Sequence, residues 1–376
     1  MLPKPELAYF AIADISGYTS FLAGVELDHA QDIIADFMNT VVRELRPHFR
    51  LAKFEGDAAF VYAVTDKADG SLLQDTIESA YFKFRRRLRD VKQASTCECK
   101  ACVAMGDLDF KFVVHHGQMV RQKIGGREEV AGRDVILVHR LLKNSVSEKV
   151  GSRAYVVYSD ACIKTMGLDP VAQGLIEHHE SIDIIGDVGL WLRDLGKSWK
   201  NENESARVEV TAADAYLRWH FDIAATRQKV WEHFTVPGQR QKWWPADAVI
   251  EQSHKRRRGI GTENHCMHGK DAIIEEVLDW RPSDYLTVNT LLPISGAPKI
   301  MLTHAFEDGA EGVTRLEMRV GKPKPKDKAF VDQAAGKFKE NITKAVGVLQ
   351  SMLQEQQSFP ALIDEPPLTS RRPLLD

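Results

Sequence analysis

The chain has 376 residues, of which 44% are hydrophobic and 27% charged, enough for two cores with the balance of a soluble globular protein. A formal net charge of -3 argues against a nonspecific nucleic-acid binder. No run of about 20 apolar residues suggests a membrane span, and Met1-Leu-Pro-Lys-Pro-Glu6 lacks the basic start and apolar stretch of a signal peptide, so a cytoplasmic location is expected.

Leu7 to Ala13 is an apolar run ending in Asp14 and predicts a buried strand, followed by a turn at Ile15-Ser-Gly-Tyr-Thr19. Asp28 is the expected cap of a helix reaching about Phe49, with Ile33, Ile34, Phe37, Val41 and Leu45 on one side. Short strands at Leu51 to Phe54 and Ala58 to Val64 are joined by Glu55-Gly-Asp57, a hairpin signal. Ser71 to Val91 reads as a helix whose basic second half (Lys83, Arg85, Arg86, Arg87, Arg89) is expected to be a solvated face. A strand at Asp109 to His115, a helix from Gly132 to about Asn144, a strand at Arg153 to Tyr158 and a hairpin at Ile182 to Leu195 follow. Interleaved strands and helices make this half α/β or α+β.

The polar segment from Gly196 to Ser205 is the expected linker. Beyond it come a strand at Leu217 to Ile223, a short helix at Thr226 to Phe234 and six strands between Asp247 and Val320. A long amphipathic helix closes the chain, Phe330 to Glu355, with Phe338, Ile342, Ala345, Val346, Leu349 and Leu353 recurring every three to four positions. The expected organisation is one domain over 1–200, a second over 207–357, and a mobile tail over 358–376.

Asp14 and Asp57 each follow an apolar strand or sit in a tight turn. Two carboxylates so held suit Mg²⁺ or Mn²⁺, which take oxygen ligands and keep phosphates in their shell. By composition alone, Asp14 is equally a strand terminator and Asp57 a turn residue. Cys97, Cys99 and Cys102 put three thiols within six residues. They can share a soft metal such as Zn²⁺ with a fourth ligand from elsewhere, or stay reduced, or serve redox chemistry. His115 and His116 are the nearest further ligands considered, only one of which would aim at the site, because strand neighbours point to opposite faces.

The order of motifs resembles the catalytic domain of class III nucleotidyl cyclases over residues 7 to about 195. The motifs are Asp14-Ile-Ser-Gly-Tyr-Thr19, Lys53-Phe-Glu-Gly-Asp57, His115-His-Gly117 and Gly132-Arg-Asp-Val-Ile-Leu-Val-His-Arg140. The resemblance implies a ferredoxin-like α+β fold and a homodimer with active sites at its interface. It also implies Mg²⁺ or Mn²⁺ on Asp14 and Asp57, and phosphates on the backbone of Ile15, Ser16, Gly17 and Tyr18. Lys53 and Glu129 would read a purine, favouring ATP, and Arg140 would stabilise the transferring phosphoryl group. The implied product is cyclic AMP with pyrophosphate. Two positions depart from the pattern. Ile136 stands where the family has a ribose-binding asparagine, and Asp187 stands where a phosphate-binding lysine is usual. The expectation is therefore a degenerate cyclase-like signalling or binding domain, with an active nucleotidyl cyclase as the alternative.

Residues 215 to about 356 resemble the SRPBCC or START-like superfamily, through the opening strand, Ala225-Thr-Arg-Gln-Lys-Val-Trp-Glu-His-Phe234, Gln241-Lys-Trp-Trp-Pro245 and the final helix. The resemblance implies a helix-grip fold holding a small hydrophobic ligand, and a lipid carrier as a further alternative. Trp231, Phe234, Trp243, Trp244 and Trp280 are the candidate pocket residues; aromatic side chains also simply fill cores.

Overall fold

The computed structural model describes residues 4–65, 69–94, 97, 99–253 and 257–358; the tail beyond lies outside the described residues. The first strand, β1 (Glu6–Ser16), is apolar on both faces because both are covered, and Ala8 to Ala13 are all buried. After it come α1 (Tyr18–Gly24), α2 (Leu27–Leu45), β2 (Arg50–Glu55), β3 (Ala58–Val64), α3 (Gly70–Ala94), α4 (Lys100–Ala104), β4 (Asp109–Ile124) and β5 (Arg127–Ala131). Then follow α5 (Arg133–Arg140), α6 (Val146–Val150), β6 (Tyr155–Ser159), α7 (Asp160–Met166), β7 (Ile176–Ile182), β8 (Gly186–Asp194) and α8 (Leu195–Glu204).

The sheet runs β2-β3-β1-β4-β6-β8-β7, with β5 paired to β4. Within it β2, β3, β1 and β4 pair antiparallel with one another, while β4 runs parallel to β6. With α2 between β1 and β2, and α3 between β3 and β4, they form the ferredoxin-like unit expected. The strand period of two splits β1 between two cores. Tyr9, Ala11, Ala13 and Ile15 pack with α2 and α3 residues such as Phe37, Val41, Ile77 and Phe84. Ala8, Phe10 and Ile12 pack on the other face with Val135 and Val138 of α5.

The second domain contains β9 (Leu217–Ile223), α9 (Arg227–Thr235), α10 (Pro237–Arg240), β10 (Ala248–Gln252), β11 (Glu263–His268), β12 (Asp271–Arg281), β13 (Tyr285–Leu291), β14 (Ile300–Asp308), β15 (Thr314–Val320) and α11 (Lys328–Ser358). Its antiparallel sheet runs β10-β11-β12-β13-β14-β15-β9. Ile342, Ala345, Val346, Leu349 and Leu353 of α11 join Val288, Leu316 and Met318 in one core. This is the helix-grip arrangement, and the apolar stripe of α11 is what the sheet needs to bury its inner face.

Several expected boundaries moved. Helix α2 begins at Leu27, before the expected cap. Strand β4 runs on past His115 to Ile124, where it pairs with β5. Helix α5 ends at Arg140, short of Asn144. The expected linker at 196–205 is largely helix α8: Asp194 caps it by accepting from the Lys197 amide, and Trp199 packs on Phe82 with ring centroids 5.6 Å apart. A capping carboxylate and tertiary docking outweigh the polar composition. The basic half of α3 is not a free solvated face either. Arg85 pairs with Asp109 at 3.0 Å, Arg87 with Asp36 at 2.7 Å, and Arg86 with Asp284 of the second domain at 2.8 Å.

Helix α3 is the main bridge between the domains. Arg257 reaches Asp75 at 3.0 Å and Glu78 at 2.7 Å, and Trp280 Nε1 donates to Asp75 Oδ2 at 3.0 Å. Arg193 takes the other Glu78 oxygen at 2.6 Å, and Arg258 pairs with Asp69. Gln228 Nε2 donates to buried Glu44 at 2.7 Å, and His48 lies 3.5 Å from Glu232.

Candidate functional site

Strand register decides what surrounds Asp14. At the end of β1 it lies opposite Ala58 on β3 and Lys111 on β4. The Ile15 amide donates to the Asp57 carbonyl at 3.1 Å, tying the β2–β3 turn to the strand end. The Lys111 ammonium stands 3.5 Å from Asp14 Oδ2. Burial pushes the Asp14 carboxyl up to about 6, against Lys111 and with help from Asp57. Burial also raises Asp57. The two residues are thus brought to the same end of the sheet. The donor set nevertheless fits a divalent ion poorly, because a lysine of the protein already supplies positive charge to one of the two carboxylates.

Several other implied positions are engaged within the chain, and others are exposed. Lys53 pairs with Glu55 at 2.7 Å, and Glu55 also meets His139 at 3.0 Å. Burial would raise the Glu55 carboxyl, but the hydrogen bond and charge of Lys53, with the His139 ring beside it, hold it below its ordinary range. Glu129 lies on β5 opposite Gln122, whereas its neighbour Glu128 accepts from Tyr62 at 3.0 Å. Arg140 is exposed and donates to the Asp183 carbonyl at 3.1 Å. Ile136 is 57% exposed on α5, and Asp187 is exposed on β8. Ile15 and Ser16 are buried, and Ser16 Oγ donates to the Arg153 carbonyl at 2.8 Å. Gly17, at φ 88°, takes the left-handed turn that lets α1 begin at Tyr18. It opens on a cavity of about 610 Å³ lined also by Ser20, Lys100, Val103 and Arg153.

The cysteine cluster finds its fourth partner elsewhere than expected. His115 Nδ1 is bonded to Ser159 Oγ at 2.7 Å and its other nitrogen faces Asp134 at 3.5 Å, while His116 meets the Thr65 carbonyl at 3.3 Å. Both histidines serve the sheet interior, so neither completes the cluster. His29 of α2 does. Its Nδ1 lies 3.2 Å from Cys99 Sγ, 3.6 Å from Cys97 Sγ and 3.7 Å from Cys102 Sγ. The Cys102 backbone N–H donates to Cys99 Sγ at 3.4 Å, and chiefly for that reason the Cys99 thiol is lowered to about 7. No disulfide joins these cysteines.

In the second domain Trp231, Phe234 and Trp243 are almost fully buried, and Trp244 and Trp280 partly so. They pack on one another: Trp231 on Trp280 at 4.9 Å, Phe234 on Trp243 at 4.7 Å and Trp243 on Trp244 at 5.2 Å between centroids. Beside them lies a polar group that the sequence reading missed. Arg240 makes a two-pronged bond to Glu275 at 2.6 and 2.8 Å and covers the Trp244 ring at 4.3 Å. Near this pair, burial pushes His304 down to about 4. His304 Nδ1 and Thr290 Oγ1 are buried without a hydrogen-bond partner. No local signal in the sequence marks this pair, because Arg240 lies on a short helix and Glu275 on a strand 35 residues away, and only packing brings them together.

Residues 205–354 match the family described as polyketide cyclase/dehydrase and lipid transport. The second domain is thus similar to that family over its sheet and closing helix. Ahead of this polyketide-cyclase-like domain, residues 34–150 match a family of proteins of unknown function, DUF2652. An uncharacterized protein of Mycobacterium tuberculosis, Rv2561/Rv2562, is 43% identical over 97 residues, which is 26% of this chain and 45% of that protein. The chain thus spans less than half the length of that curated relative. Among solved structures, the guanylyl cyclase Cya2 covers 51% of this chain and 93% of its own at 16% identity, TM-score 0.39. The adenylyl cyclase CyaB from P. aeruginosa covers 52% and 99% at 15% identity, TM-score 0.38. At such scores the strand order itself carries the fold assignment. No helix among the described residues is long and apolar enough to cross a membrane.

Proposed function

We propose that this chain is a cyclase-shaped binding or signalling protein that does not turn over nucleotides, with a second domain that takes a small hydrophobic ligand. The observation that carries the first part is the Lys111 ammonium 3.5 Å from Asp14 Oδ2. A fixed cation offsets the carboxylate charge that a bound divalent metal would otherwise offset. The lack of a hydrogen-bonding side chain at Ile136 points the same way, because it leaves a ribose hydroxyl unoriented, and loose positioning costs orders of magnitude in rate. A homodimer of the cyclase kind belongs to this reading. The second part is supported by the family match and by the unpartnered His304 Nδ1 and Thr290 Oγ1, each of which would accept a polar partner from a largely apolar molecule.

The test incubates purified full-length protein with ATP or GTP and Mn²⁺, with and without a fluorescent fatty-acid probe, and measures both cyclic nucleotide and probe binding. Saturable probe binding without cyclic nucleotide is expected. Sustained cyclic AMP or cyclic GMP formation would overturn the noncatalytic reading in favour of an active cyclase. Absence of probe binding would remove the ligand role.

A further inference from the structure

The four side chains His29, Cys97, Cys99 and Cys102 offer ligand atoms that all lie within 4.8 Å of one another. A tetrahedral zinc site with Zn–S of about 2.3 Å and Zn–N of about 2.05 Å places nitrogen and sulfur about 3.6 Å apart. The three separations from His29 Nδ1, at 3.2, 3.6 and 3.7 Å, bracket that value. The donor types are those zinc prefers, namely three sulfurs and one imidazole nitrogen. Cys99 also caps α4 and accepts the Cys102 amide, an N–H···S bond of the kind that steadies a metal thiolate.

We propose that His29, Cys97, Cys99 and Cys102 form a structural Zn²⁺ site that clamps α4 onto the start of α2. Binding takes the three cysteines as thiolates and His29 as the neutral imidazole with its Nδ1 lone pair on the metal. The thiol protons are released to solvent, and four protein ligands leave no open position for catalysis. The site acts on the cavity next to it. Lys100, Val103 and Ala104 of α4 form one wall of the 610 Å³ cavity, and Gly17, Ser20 and Phe21 face them. Ala101 anchors this five-residue helix in the first core, and the metal adds a cross-link from its cysteines to α2 that so short a helix cannot supply for itself.

Metal analysis of the full chain, purified without an affinity tag and dialysed, should find one zinc per chain. Cobalt exchanged into the site should show the intense visible bands of a tetrahedral sulfur-rich centre. His29→Ala should weaken zinc at least about tenfold, while His29→Cys should keep both the stoichiometry and a tetrahedral cobalt spectrum. Chelation should speed tryptic cleavage at Lys100 without unfolding the second domain. Zinc-free protein that takes up no cobalt with tetrahedral character would overturn the site. Zinc binding unchanged in His29→Ala would overturn the assignment of the fourth ligand. Because the cobalt spectrum is read on the unmodified chain, a variant that fails to fold leaves that arm decisive.

Discussion

At Asp14 the chemistry turns on one cross-strand neighbour. Lys111 sits opposite it on β4 and lies 3.5 Å from its carboxylate. If that lysine stands in for a metal, its removal should uncover the metal site. Lys111→Gln is expected to tighten Mn²⁺ binding about tenfold or more. The Asp14 carboxyl, already at about 6, would rise further without its cation, so titration calorimetry should be run near pH 8. Equal Mn²⁺ affinity in both proteins would show that Lys111 does not guard the site. The same residue shows how far the sequence could be read. Asp14 and Asp57 were legible as a pair from their flanking apolar runs. Lys111 was not, because which residue of β4 faces Asp14 depends on register, and the antiparallel pairing of β1 with β4 is not local. His29 escaped for a similar reason, since it precedes the cysteines by 68 residues, on a helix whose orientation only the packed core sets.

At the scale of elements, α3 carries the most consequence. It reads in the sequence as an amphipathic helix with a basic end, and its apolar stripe duly packs on the first sheet. What the pattern did not show is that its first half is buried on the other side as well. Asp75 is 2% exposed and held by Arg257 from the second domain. Arg257→Ala should therefore leave Asp75 with only the Trp280 N–H and Glu78 with Arg193 alone, costing about 3–5 kcal/mol. Denaturant unfolding followed by tryptophan fluorescence checks this. A change under about 1 kcal/mol would mean the network is solvated and weak. The α8 segment teaches the complementary lesson. A polar, aperiodic stretch became a helix because Asp194 caps it and Arg281 binds its Glu202 at 2.5 Å.

For the whole molecule, the contact between domains joins a titratable group to a pH window. His48 of the first domain faces Glu232, Lys229 and His233 of the second. Burial and then Lys229 outweigh Glu232, so the imidazole is pushed down from 6.5 to about 4. A base with a depressed folded pKa stabilises the fold above its unfolded value and loses that contribution as pH falls through the window. Stability carried by His48 should be complete above about pH 6.5 and decline toward about pH 4, by on the order of 3 kcal/mol. His48→Gln should flatten this part of the pH profile in denaturant titrations, and an unchanged slope would assign the acid sensitivity elsewhere. Buried His304, also lowered to about 4, acts with the same sign and remains in the variant as the reference.

The sequence by itself determined two domains and nearly every strand of the second. It also determined the ferredoxin-like order of the first. All of these follow from local periodicity, turn chemistry and motif order, which neighbouring residues encode. The tertiary structure alone decided that Lys111 faces Asp14, that His29 rather than His115 or His116 meets the cysteines, and that α3 is buried between domains. Those facts depend on strand register and on packing between elements far apart in the chain, and no local pattern of residues specifies either.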